Sequence, residues 1–269
     1  MVSKTDPARE IADICRKLGG SSDQPGDKHI ATTIGVEQWS RDFYEVIFSI
    51  AERLELLLRV LDELELDEDQ REEIRGHIKS IKSAFSRNAL ITAWNVKGGG
   101  LAILKGPHAA AINALSGQVR TKIWYPKLDE AEAKEIVGLV DSLLTWLQDI
   151  QLNEQDFLRQ ALMEGLQRCR TRLDRLQWLG WGYTVESLRD VIGAYMALER
   201  GFPDATQTNP PAAAVVKKTL DTLKAISDKV GVARDVTDNG RFLIEIYGWA
   251  ALAKQAGIAG LIGFGIPGG

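Results

Sequence analysis

Cysteine is nearly missing from this 269-residue chain: Cys15 and Cys169 are its only two, far apart and without a CxxC neighbour. That scarcity excludes a disulfide framework and a cysteine-rich zinc site, and it fits reduced thiols in a cytoplasmic protein. Histidine is equally sparse. His29, His77 and His108 are scattered, no HExxH or paired Cys/His spacing occurs, and no GxSxG elbow is present. No cofactor or metal is therefore expected. No apolar run reaches the roughly 20 residues of an ordinary spanning helix. The first twenty residues carry acids and lack an apolar stretch, so no secretory signal is expected there. A net charge of −4 gives no overall pull towards nucleic acid or an anionic membrane. Strand-like residues are confined to a TKIWY segment at 121–125.

Helical periodicity fills the rest. Phe43, Ile47, Ile50, Leu54, Leu57, Leu61 and Leu64 recur at alternating steps of four and three, and Val46, Leu56, Leu58 and Val60 broaden that seam into a face. A broad apolar face suits a helix packed within its own chain. Asp67 with Gln70 three residues on starts a second helix through Ile74, Ile78, Ile81 and Phe85. Asp129 with Glu132 starts another, with Ile136, Val140, Leu143, Leu147 and Ile150 inward. Asn153 is the expected start of the next, through Leu158, Leu162, Cys169, Leu173 and Leu176 to an end at Gly180, and Thr184 of the one after, which ends at Gly201. The reading is an all-α protein: a multi-helix antiparallel bundle with a smaller C-terminal helical part. Its expected parts are 1–35, a short helix and loop appended to the bundle; 36–200, the bundle; 201–211, a Pro-rich linker; and 212–269, a helical region ending in a Gly-rich apolar segment.

The C-terminal 28 residues are the least ordinary. No charge follows Lys254, and Gly257, Gly260, Gly263 and Gly265 punctuate an otherwise apolar run. Four glycines disfavour a free helix by roughly 4 kcal/mol relative to alanine. Such a segment needs shelter, from protein or from lipid. The fifteen residues from Gln255 reach roughly 22 Å as a helix, short of the ~30 Å hydrocarbon core. A lone span is thus disfavoured, and an interfacial wedge or an oligomer is left. Small residues at spacing four (Ala253/Gly257, Ala256/Gly260, Ala259/Gly263) permit close helix contact. Tyr247 and Trp249 suit a headgroup level, and Phe242, Ile258, Leu261, Ile262 and Phe264 supply the apolar contacts. In composition the segment resembles viral fusion peptides and membrane-active toxin segments, which implies a membrane lipid as partner. The alternative is that it packs as core or docks on another protein.

Other stretches carry weaker signals. KGGGLAILKG at 97–106 is Gly-rich and precedes a helix, but it lacks the P-loop GK[ST] and a preceding strand. It reads as a connector or a second apolar hairpin. Arg168, Arg172 and Arg175, with Arg159 and Arg170, give one helix a basic side, while 52–73 is acidic. The pair suggests complementary surfaces within the bundle or between protomers. Trp178 and Trp181 at a helix corner are candidate contact residues for a protein partner or a second copy. Nucleic-acid binding would want more positive charge. Arg71 and His77 form an R-x5-H spacing that resembles the all-helical HEPN ribonucleases, and the resemblance implies these two as catalytic residues acting on a scissile phosphate, usually across a dimer. A six-residue offset puts them about 120° apart on a helix, and Glu72 stands where the family often has a polar residue. From the residues alone the expectation is a non-enzymatic, oligomerising helical protein with a membrane-active segment, with an interaction or adaptor module as the alternative.

Overall fold

A computed structural model describes residues 4–152, 156–201 and 209–230. The described residues form thirteen helices and two two-residue strands, an all-α fold. They divide into two compact units. One holds residues 4–125 together with Trp178–Gly180; the other holds the remainder from Pro126. The division falls at 125/126, whereas the periodicity had suggested boundaries at 35/36, 200/201 and 211/212.

The first unit contains β1 (Lys4–Thr5), α1 (Pro7–Leu18), α2 (Gly26–Ile34), α3 (Arg41–Asp62), α4 (Glu68–Ala84), α5 (Arg87–Ile91), α6 (Gly100–Lys105), α7 (Pro107–Ala114) and α8 (Ser116–Lys122). β1 pairs with the strand that opens at Tyr125 (β2, Tyr125–Pro126). Helix α1 is the centre of this unit rather than an appendage. Asp6 caps it by accepting from the Arg9 amide at 3.0 Å. Its apolar residues Ala8, Ile11, Ala12, Ile14, Cys15 and Leu18 are all buried, and it packs on α3, α6, α7 and α8. The expectation failed because twelve residues look peripheral in sequence, although their apolar stripe runs almost unbroken.

Helix α3 buries the broad face predicted for it, slightly rotated: Val46, Ile50, Leu57 and Val60 are inside, and Ile47 is half-exposed. Asp67 caps α4 by accepting from the Gln70 amide at 2.8 Å, as the spacing predicted. The glycine-rich stretch 97–106 is not a hairpin. Gly98 takes φ +76°, then α6 begins at Gly100. The cause is Trp94, fully buried, whose indole lies against both Gly26 and Gly100 and donates to the Ala89 carbonyl at 3.0 Å. A side chain on either glycine would occupy the space the indole fills.

The second unit comprises α9 (Glu130–Gln148), α10 (Asp156–Asp174), the first half of α11 (Leu176–Leu179), α12 (Trp181–Gly201) and α13 (Pro210–Val230). Asp129 and Glu132 form the predicted reciprocal capping box. Asn153, the expected start of α10, lies outside the described residues. Arg159 ties the first turn of α10 to the end of α9: it pairs bidentately with Asp156 at 2.6 and 2.8 Å and donates to the Leu147 carbonyl at 2.7 Å. That guanidinium lowers the Asp156 carboxyl to about 2. Helix α12 opens at Trp181, three residues before the expected Thr184, because Gly180 at φ +78° already turns the chain there. Gly165 lies where α10 packs on α12, and a Cβ there would stand 3.1 Å from the Val191 nitrogen.

Candidate functional site

The polar chemistry of the first unit gathers where α1 meets α3, α7 and α8. On α3, Ser49 and Arg53 stand four residues apart within the apolar register of Val46, Ile50 and Leu57, so helical geometry carries a charge inward. Arg53 Nε donates to the Ser49 carbonyl at 3.0 Å, and Nη2 donates to Ser49 Oγ at 3.2 Å and to the Trp178 carbonyl. Nη1 lies 3.5 Å from Glu10 Oε2, and both side chains are nearly solvent-free. Burial lowers the Arg53 pKa, against which the Glu10 charge acts. Tyr125 lies alongside, its phenol raised well above the ordinary range by burial and then by Glu10. Gly180 closes the cluster: a Cβ there would meet Glu10 Oε2 at 2.5 Å and Arg53 Nη1 at 2.8 Å. This enclosed ion pair has no open face for a substrate. It holds α1, α3 and the 178–180 segment in register.

One turn away, the fully buried Asp6 carboxylate does double work. One oxygen caps α1; the other accepts from Ser116 Oγ at 2.5 Å and faces Arg120 Nε at 3.4 Å. Above it opens a cleft of about 340 Å³ lined by Arg9, Asp13, Arg16, Asn113, Ala114, Ser116, Gly117 and Arg120. None of these residues stood out in the sequence. Their only signal is an arginine set distributed over two helices 110 residues apart, which periodicity cannot join.

The sequence-predicted residues sit elsewhere. Arg71 pairs with Glu68 at 2.6 Å and donates to the Leu64 and Leu66 carbonyls, tying the α3–α4 turn. His77 faces α7 instead, its Nδ1 at 2.8 Å from Nδ1 of His108, with Glu73 3.8 Å from Nε2. Arg71 and His77 thus have separate partners. One imidazole of the His77–His108 pair donates and the other accepts, so a neutral pair is matched. Arg168 pairs with Asp190, Arg170 with Asp141 and Asp174, and Arg172 donates to the Tyr183 carbonyl at 3.0 Å while lying over its ring. Arg175 is also engaged. The acidic stretch is matched by α4, through Glu55–Lys82 and Asp62–Arg75. Trp178 and Trp181 are both buried, and Lys17 stands 5.0 Å over the Trp178 ring. Phe242, Tyr247, Trp249, Ile258, Leu261, Ile262 and Phe264 lie outside the described residues.

An aromatic row that sequence reasoning passed over lies at the start of α3. Trp39, Tyr44 and Phe48 are exposed, Phe48 by 60%, and their rings follow one another at 5.9 and 6.3 Å. Trp39 holds φ +61°, a conformation that bulky residues rarely adopt. Both thiols are poor nucleophiles, since burial pushes Cys15 up to about 12 and Cys169 to about 11. Among the described residues no group of three or more His, Cys, Asp or Glu is arranged to hold a metal ion. No protein-family model matches the chain, and no curated protein or solved structure matches it either.

Proposed function

We propose that the chain is a non-enzymatic helical protein that acts on a membrane through residues 242–269, as a homo-oligomer or with a protein partner. The observation that carries this reading is the charge-free, glycine-punctuated end of the sequence, whose apolar surface needs a partner other than water. Among the described residues no helix is long and apolar enough to cross a membrane. The length of the charge-free end calls for a wedge or an assembly of copies rather than a single span. A sheltered and an inserted state need differ by only a few kcal/mol for a binding event to switch them. The test is leakage of dye-loaded liposomes by the full chain and by a chain truncated after Arg241, each first shown to be folded by circular dichroism. Leakage by the full chain alone supports the reading. Equal leakage by both, or none by either, overturns it.

A second reading, as a helical interaction module, is favoured by the exposed row of Trp39, Tyr44 and Phe48. Exposed aromatics clustered on one helix face are a common feature of protein contacts. Under this reading, Phe48→Ser weakens self-association in sedimentation velocity without changing liposome leakage.

A further inference from the structure

We infer that the cleft between α1, α7 and α8 is a binding site for a compact, soluble anion carrying more than one phosphate group. Its volume of about 340 Å³ falls within the range of small-ligand sites, about 300–1,000 Å³. Three arginines line it against one aspartate. Arg9 makes no side-chain hydrogen bond or ion pair among the described residues, so its guanidinium is available to a ligand. Arg16 pairs with Asp13 at 2.9 Å, an exposed pair that an incoming anion can displace. Arg120 is different. Its Nε is fixed by the Ser116 carbonyl at 3.2 Å and the buried Asp6 carboxylate at 3.4 Å, which holds the partly exposed guanidinium at the cleft wall. The same carboxylate orients the Ser116 hydroxyl. A planar fork set by a buried acid is how a protein prepares for phosphate oxygens.

The lining also limits the ligand. It holds no aromatic ring for a nucleobase to stack on and, apart from Ala114, no apolar side chain to shelter an acyl chain. The ligand is polar all round: an inorganic oligophosphate or a small phosphorylated polyol. Phosphate on a lipid headgroup shares the chemistry, and the experiment separates the two.

The probe is inorganic pyrophosphate, titrated calorimetrically into the full chain at 150 mM salt. The expected result is saturable binding that weakens about ten- to hundredfold in Arg9→Ala, as loss of one charge-assisted hydrogen bond implies. Gly117→Glu gives a second, independent variant. Gly117 lines the cleft and a Cβ on it meets nothing within 4 Å, so a glutamate there is accommodated, adds negative charge at the cleft wall and should abolish binding. Circular dichroism and thermal melting confirm that both variants fold. No binding at millimolar pyrophosphate overturns the inference. So does binding that both variants retain, or a gain in vesicle binding caused by adding phosphoinositide to the bilayer that pyrophosphate does not compete away. Liposome leakage by the truncated and full chains is a separate readout, so either idea can fail alone.

Discussion

Gly26 lies against the indole of Trp94 so closely that a Cβ on the glycine would overlap Nε1, and Gly100 makes the same approach to the ring from another element. One buried tryptophan thereby accounts for two glycines some seventy residues apart. Gly26→Ala should destabilise the first unit by about 1–3 kcal/mol, the usual cost of overpacking a core. Urea unfolding followed by tryptophan fluorescence measures it. Gly20→Ala, where a Cβ meets nothing within 4 Å, is the matched control and should stay within about 0.5 kcal/mol of the parent.

The Glu10–Arg53 pair gives a second expectation. Arg53→Met leaves Glu10 buried without its cation, and breaking a buried pair from one side costs about 3–5 kcal/mol. Adding Glu10→Gln to that variant removes the stranded charge and should restore part of the loss. A double-mutant cycle on urea midpoints reads the coupling. Purely additive losses would mean that the two side chains do not interact.

The His77–His108 contact makes stability depend on pH in a stated direction. Burial, then the neighbouring His77, lowers the His108 pKa below 6.5. As pH falls through 6.5 the unfolded chain takes up a proton that the folded chain resists, so this contribution to stability declines and levels off below the folded pKa. Glu73 stands 3.8 Å from the far nitrogen of His77. Between pH 7.5 and 5.5 the parent should lose more stability than His108→Asn, measured as the shift in urea midpoint. An equal or larger loss in the variant would contradict the paired arrangement.

Helix positions and caps were legible in the residues because they depend on neighbours three and four apart. The caps at Asp67 and Asp129 and the apolar faces of α3, α4 and α9 all follow from that local rule. The stop at Gly180 was legible as a glycine, but its tertiary role was not: its lack of a side chain admits Glu10 and Arg53, residues more than 120 positions away. Arg53 itself was detectable as a charge in an apolar register, but its partner was not.

Sequence alone was enough for the all-α class, for the capped starts of α4 and α9, and for the unusual apolar C-terminus, since each rests on composition or short-range periodicity. Tertiary packing decided that α1 is central, that Trp94 explains the glycines, and that Arg9, Arg16 and Arg120 share one cleft around Ser116. Those arrangements join residues from separate helices, and a pattern of period 3.6 holds no information about which face meets which.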